Sequence, residues 1–507
     1  MSVLRTFARN VVSNWAGFLV NAVIAFQLTP FVESRLGSSA WGLWGLLIAC
    51  TGYYGLLDLG IRSAVAQYVT RYLAKGDADG VCRTVNTAAG ILLAIATALL
   101  PLTAVVAWLA PSVFAIDEVD DGTTRLLFAV VGVGVAINLP LTIFQTATYA
   151  RQRFDIANGV GIAQRLIAAG TTVWALESGG GLVAMAVIHL GCNVAANLAH
   201  VVLTFRLLPG IEFGRRHFSR ASVRELFGFS VWNVLINAAD QVQVHASALV
   251  VPIVLTTTAL AHFNMGAILV PYALQLVNSI AWTLTPQATT LDARGDLEGL
   301  RRLWLGGTRA IVAFAAILAG GMALLGDDLL RLWVDPKYTS GAEFVSSGTI
   351  LAVLALGLML RALATASKQL CFGLREVQVL ARVTFAEAIV NLVLTVALVA
   401  WLGILGAAIS NLLAVALTQL WMLPRYVTRR IGAAWSSVPR TLAAGGVVLV
   451  TMPLLHSFAA AKVPADTWSG FSLRVVILAV PALALAVMVG TTREEKARLI
   501  RRMRRTA

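Results

Sequence analysis

Charge is scarce in this chain. Asp, Glu, Lys and Arg together supply 13% of its residues, about half of the roughly 25% usual in soluble domains. No extended polar run separates the apolar stretches, which excludes a soluble catalytic or regulatory domain of ordinary size. Acid is scarcer than base, with 25 Asp and Glu against 39 Lys and Arg. Cysteine is nearly absent: Cys50 and Cys192 fall in apolar spans, Cys82 and Cys371 in the loops between spans, and no CxxC pair exists. Neither a disulfide framework nor a cysteine metal site is expected. His189 and His200 have no carboxylate or cysteine at ligand spacing, so core packing is expected of them and no metal. The GxxxxGK[ST] phosphate loop is missing too, so no nucleotide engine or other cofactor is expected. No catalytic constellation stands out, and the chain is not expected to be an enzyme.

What is present is apolar residue, 58% of the chain. A membrane-crossing helix takes about 20 mostly apolar residues, and counting by that length gives about fourteen spans. The expected fold class is therefore an all-α polytopic membrane protein. Arg5 and Arg9 precede the first span with no A-x-A cleavage site after it, so that span reads as a retained helix rather than a signal peptide. With the N-terminus inside and an even number of spans, 33 of the 39 Lys and Arg fall on the cytoplasmic side. The other six are Arg35, Arg125, Arg331, Lys337, Lys462 and Arg474. That bias is the positive-inside rule, and it accounts for the net charge of +14 without nucleic acid. Both termini are expected in the cytoplasm. Trp108, Trp174, Trp333 and Trp401 fall at outer span ends, as an interfacial aromatic belt would.

The chain also repeats itself. Lys75-Gly76-Asp77-Ala78-Asp79-Gly80-Val81-Cys82-Arg83 and Arg294-Gly295-Asp296-Leu297-Glu298-Gly299-Leu300-Arg301-Arg302 share one pattern 219 residues apart. At that offset Asn14 falls on Asn233 and Asn21 on Asp240. After a three-residue shift, Arg153 falls on Arg375 and Gly181 on Gly403. Six spans per half is even, so the two lobes enter the membrane alike, a parallel repeat of the kind that lets two halves rock about a central site. The expected division is an N-lobe at 1–210, a C-lobe at 211–430, and 431–507 holding two added spans and a basic tail. The connector carries Arg215, Arg216, Arg220 and Arg224 among Phe213, Phe218 and Val223, a basic amphipathic segment suited to anionic membrane lipid. The tail from Arg493 to Arg505 suits either anionic lipid or plain topology anchoring.

Ionisable and amide side chains inside a membrane are functional candidates by default. The seventh span carries the strongest stripe: Asn233, Asn237, Asp240 and Gln241, at helical spacing. Asn14 and Asn21 are its milder counterparts in the first span, and Gln275 and Asn278 lie in the eighth. Together these are the expected substrate-binding residues, with Arg361 and Lys368, at the inner end of the tenth span, as cations for an anionic headgroup. Asp240, the only carboxylate near the centre of its span, is the expected ion-coupling group. Asp58 and Arg62, four apart at the inner end of the second span, are expected to neutralise each other in a structural role.

The stretch Tyr54-Gly-Leu-Leu-Asp58-Leu-Gly60-Ile-Arg62-Ser-Ala64, followed by Gln67-Tyr68-Val69 and Gly403-Ile-Leu-Gly406-Ala-Ala408, resembles the polysaccharide-transporter branch, the O-antigen flippase type, of the multidrug/oligosaccharidyl-lipid/polysaccharide (MOP) exporter superfamily. The resemblance covers essentially the whole chain. It implies a flippase of the bacterial inner membrane that moves a lipid-linked oligosaccharide, usually on undecaprenyl pyrophosphate, from the inner to the outer leaflet. It implies basic residues in a central cavity for the headgroup, and a polysaccharide polymerase and glycosyltransferases as partners. Two other readings stand beside it: an ion-coupled multidrug or cation exporter of the same superfamily, and a membrane-embedded glycan ligase or acyltransferase. The last would need an extended outer loop bearing His, Arg or Asp, which this chain lacks.

Overall fold

The computed structural model describes residues 3–490 apart from 59, 152, 209, 229 and 230. The basic tail lies outside the described residues. Among the described residues there are helices and turns and no strand. This is what hydrocarbon selects, because a helix satisfies its own N–H and C=O groups where no water reaches them. Thirteen helical stretches among the described residues are long and apolar enough to cross a membrane, and the chain is a multi-pass membrane protein. The difference from about fourteen lies at Phe154–Glu177, where the fifth span is expected. This stretch forms a 24-residue helix, but Asp155, Asn158, Gln164 and Arg165 make it more polar than the others.

The chain folds as two compact units, Met1–Gln241 with Pro252–Ala261, and Val242–Val251 with His262–Ala507. The first unit contains α1 (Val3–Leu36), α2 (Ser38–Tyr54), α3 (Ile61–Lys75), α4 (Ala78–Val113), α5 (Asp121–Ala150), α6 (Phe154–Glu177), α7 (Leu182–Leu207), α8 (Arg220–Gly228) and the start of α9 (Val231–Val254). Its core gathers Ile61 and Val65 of α3, Val85 and Leu92 of α4, and Leu139 and Ile143 of α5. The second unit takes the middle of α9 and the end of α10 (Thr257–Ala267), then α11 (Val270–Ala281), α12 (Leu284–Ala293), α13 (Leu297–Trp333), α14 (Ser347–Gly373), α15 (Val377–Leu402), α16 (Ile404–Leu417), α17 (Gln419–Ile431), α18 (Ser437–Lys462) and α19 (Trp468–Gly490). At its centre α13 packs on α14, α18 and α19. There Trp304 is fully buried, its Nε1 donating to Ser367 Oγ at 3.2 Å.

The two copies of the repeated loop fold alike. Gly76 and Gly295 take left-handed backbone, φ 70° and 67°. The aspartate after each caps the next helix: Gly80 N donates to Asp77 Oδ1 and Gly299 N to Asp296 Oδ1, both at 2.7 Å. These caps start two of the longest helices, α4 and α13. Small residues let helices meet closely, as is usual where lipid supplies no hydrophobic drive. A Cβ on Gly42 of α2 would lie 1.8 Å from the Thr257 carbonyl oxygen, and one on Gly406 of α16 would lie 2.1 Å from that of Leu398.

Several expectations change at this level. Cys82 and Cys371 are not in loops: they lie in α4 and α14, which run past the apolar spans, and both are buried. Of the four belt tryptophans, Trp108, Trp174 and Trp401 are 66%, 70% and 87% exposed, whereas Trp333 is 8% exposed and packs inward. The connector becomes a short turn, Arg215–His217, followed by α8. Asn86 pins it to α4, donating from Nδ2 to Glu212 O at 2.8 Å and accepting from Gly214 N at 2.9 Å. Phe213, Phe218, Arg216, Arg220 and Arg224 stay exposed.

Candidate functional site

The stretch Gly55 to Arg62 breaks the helical run and so turns polar groups into the first unit. After α2 the chain makes a 3-10 turn, Gly55–Asp58. Gly60 then takes φ 75°, a left-handed conformation that glycine adopts without steric cost, and α3 begins at Ile61. Asp58 reaches across this joint. Its Oδ1 accepts from the Arg62 backbone N at 3.0 Å and its Oδ2 from Arg62 Nε at 2.6 Å. The carboxylate is nearly buried, 10% exposed, while the guanidinium side chain is 45% exposed. Asp58 thus caps the helix and aims a cation outward.

Three cavities follow one another in this unit. One of about 320 Å³ lies between α2, α5 and α7 and is lined by Trp44, Tyr54, Asn138, His189, Asn193 and Asn197 among apolar neighbours. A second, of about 290 Å³, is lined by Asn237, Asp240 and Gln241 of α9. Gly55, Asp58 and Arg62 line both. A third, of about 260 Å³, reaches α1 and α6, where Gln164 and Arg165 line it, and it shares Trp44, Ile48 and His189 with the first. Gln241 fixes α9 to the end of α2 by donating from Nε2 to Gly52 O at 2.8 Å. The result is a line of polar side chains through an apolar bundle, with the half-exposed Arg62 guanidinium where the first two cavities meet and the exposed Arg165 on the third. Such a wall can hold an anionic group at Arg62 and hydroxyl-bearing groups at the carboxamides. Among the described residues, no group of three His, Cys, Asp or Glu is arranged to hold a metal.

The expected site residues separate in the structure. Asn237, Asp240 and Gln241 come together on the second cavity. The side chain of Asn233 lies outside the described residues. Asn14 accepts from Asn158 Nδ2 at 2.7 Å; neither it nor Asn21 lines these cavities. Gln275 and Asn278 lie on α11 in the second unit, the first exposed and the second half-buried. Arg361 is held inside the second unit. Its Nη2 donates to Glu387 Oε1 and its Nη1 to Gln243 Oε1, each at 2.9 Å, and Gln243 Nε2 donates to Thr384 O at 3.3 Å. Lys368 is half-buried on the same helix. Asp58 and Arg62 pair as expected, yet they also line the first and second of these cavities. Asn138, Asn193 and Asn197 were not singled out from the sequence, although His189, Asn193 and Asn197 recur every four residues, the spacing of one helix face.

Comparison with known proteins places this architecture. The sequence profile of the polysaccharide biosynthesis protein family matches residues 35–339, a stretch that holds most of the cavity-lining residues. The chain belongs to this family. Along nearly its full length it is similar to the uncharacterized membrane protein EpsK of Bacillus subtilis, at 24% identity over 99% of this chain and 98% of the relative. It is also similar to a Shigella flexneri protein named as an O-antigen transporter, at 21% identity over 79% of this chain and 93% of the other. Its fold is that of the lipid II flippase MurJ in an inward closed conformation, with a TM-score of 0.71 at 11% identity over 96% of this chain and 98% of that one. The resemblance to polysaccharide transporters read from the sequence is thereby borne out.

Proposed function

We propose that this family member is a flippase, which moves a lipid-linked oligosaccharide on undecaprenyl pyrophosphate from the inner to the outer leaflet of the bacterial inner membrane for surface polysaccharide synthesis. The observation that carries the reading is Arg62, a half-exposed cation held by Asp58 on the wall of two adjoining cavities that carboxamides also line. A guanidinium suits a pyrophosphate because its fork of N–H donors matches the oxygens of a phosphate. Carboxamides suit a glycan, and the lipid tail needs no enclosed pocket because the bilayer solvates it. In the orientation proposed here, with both termini in the cytoplasm, Arg62 at the start of α3 faces the leaflet where the substrate is made. Arg361 and Lys368 remain candidates for a second headgroup contact in the second unit, Arg361 acting from within its pair with Glu387.

Transport runs by alternating access, with Asp240 as the coupling group on the second cavity. A polymerase and glycosyltransferases are the partners such a step requires, since they consume and supply the oligosaccharide. The test is transfer of a fluorescent undecaprenyl pyrophosphate oligosaccharide across proteoliposome membranes, read by a quencher that cannot enter. The parent protein should expose the probe, and Arg62→Gln should slow exposure at least ten-fold while Arg62→Lys keeps part of it. A parent that moves fluorescent lipophilic cations and leaves the oligosaccharide in place establishes the exporter reading instead.

A further inference from the structure

We infer that the cavity between α2, α5 and α7 is a binding subsite for an uncharged saccharide, with Trp44 as its stacking face and Asn138, Asn193 and Asn197 as its hydroxyl readers. The inference rests on the flippase reading for its biological meaning but on the cavity alone for its chemistry. Trp44 is half-buried and lines two cavities. The His189 ring meets it edge to face, with centroids 5.6 Å apart and planes at 85°, which fixes the indole. An indole joins a broad apolar surface to a polar tip, and the C–H face of a pyranose is the matching surface.

The carboxamides are held in place in the same way. Asn138 Nδ2 donates to Gly134 O and Asn193 Nδ2 to His189 O, each at 2.7 Å and each one turn back along its own helix. Asn197 Nδ2 donates to Asn138 Oδ1 at 2.7 Å, and Gln164 Nε2 to Asn193 Oδ1 at 3.2 Å. A carboxamide has two N–H donors and an oxygen with two lone pairs. Each of the three asparagines therefore keeps an N–H beyond these bonds, beside oxygens that can accept again. Sugar hydroxyls both donate and accept, so the complement is complete.

Charge sets the class of ligand. The carboxylate and guanidinium on this cavity, Asp58 and Arg62, bond each other where it meets the second cavity. A lipophilic cation would find no carboxylate here that is not already paired. Away from that pair a neutral sugar would meet amide, hydroxyl, aromatic and aliphatic surface, and the phosphate of a lipid-linked sugar would lie at Arg62. At about 320 Å³ the cavity sits at the small end of ligand pockets, which run from about 300 to 1,000 Å³. It suits a mono- or disaccharide rather than a long glycan.

The experiment uses the full-length protein in lipid nanodiscs, titrated with maltose, N,N′-diacetylchitobiose and, separately, inorganic pyrophosphate, with binding read by NMR. At least one of the two neutral disaccharides should bind saturably. Asn193→Ala/Asn197→Ala should weaken that binding at least ten-fold, Trp44→Ala should abolish it, and Trp44→Phe should restore most of it, which separates loss of the face from loss of the fold. Pyrophosphate binding should survive in all of these variants and fail in Arg62→Gln. If neither disaccharide binds the parent, or if the asparagine and Trp44→Ala variants bind like the parent, the subsite is overturned even where oligosaccharide transport is intact. A parent that binds a disaccharide with the expected losses but transports no lipid-linked oligosaccharide leaves the subsite standing and overturns the flippase reading.

Discussion

Arg361 and Arg62 show two uses of the same side chain in an apolar setting. Snorkelling toward headgroups would explain an arginine near a helix end, and Arg361 fits that expectation on sequence, whereas Arg62 is expected to pair with Asp58. Arg361 instead meets Glu387, whose side chain is 1% exposed, and the pair is closed by Gln243. Removing one partner of a buried ion pair strands the other charge, at a cost of about 3–5 kcal/mol. Glu387→Gln should therefore lower the thermal midpoint of the purified protein strongly, and adding Arg361→Gln should recover part of the loss. Equal midpoints for the single and double variants would show that the two charges do not depend on each other. Asp240 carries a different prediction. It lines the second cavity between Asn237 and Gln241, where a gained or lost proton would change what the cavity can hold. Asp240→Asn should still bind substrate but lose the response of transport to an imposed pH gradient; full gradient dependence in that variant rejects the coupling role.

At the scale of the element, the paired loops are the most instructive feature. Both copies use glycine to turn and aspartate to cap, so the physical reason for the sequence pattern is the same in each. Losing an N-cap side chain costs about 0.5–2 kcal/mol. Asp77→Ala and Asp296→Ala should each destabilise by that order, measured as denaturant midpoints, with Asp77→Asn and Asp296→Asn close to the parent. A loss confined to one copy would mean that the two loops, though alike in backbone, are not alike in load. The connector makes the complementary point. Phe213, Phe218, Arg216, Arg220 and Arg224 are exposed together, and this amphipathic character was legible because no tertiary contact was needed to create it.

For the whole molecule the testable property is topology. Cys82 and Cys371 are buried and cannot report it, so introduced cysteines at exposed positions are needed. Lys75→Cys and Arg294→Cys lie in the two repeated loops, and Asp120→Cys lies between α4 and α5; all three positions are exposed. In intact cells an impermeant thiol reagent should label the third and spare the first two. Labelling of Lys75→Cys without Asp120→Cys would reverse the orientation and with it the side from which Arg62 is reached.

Composition and the length of the apolar runs determined that the chain is helical and crosses the membrane many times, because hydrocarbon admits only helices and closed barrels and a barrel strand is short and alternating. The spacing of its residues determined the helix caps, the glycine turns and the Asp58–Arg62 pair, all of which are local. Only the tertiary structure decided which polar residues share a wall. Asn237, Asp240 and Gln241 reach the Asp58–Arg62 turn because Gln241 ties α9 to the end of α2, and Asn138 meets Asn197 because α5 packs on α7. Asn14, from the same kind of polar stripe, is spent on Asn158 instead. A carboxamide in a membrane helix must find a partner somewhere, but the sequence carries the need and the packing chooses the partner. That is why the cavity of Trp44 and the three asparagines, assembled from helices far apart in the chain, could be found only in the folded protein.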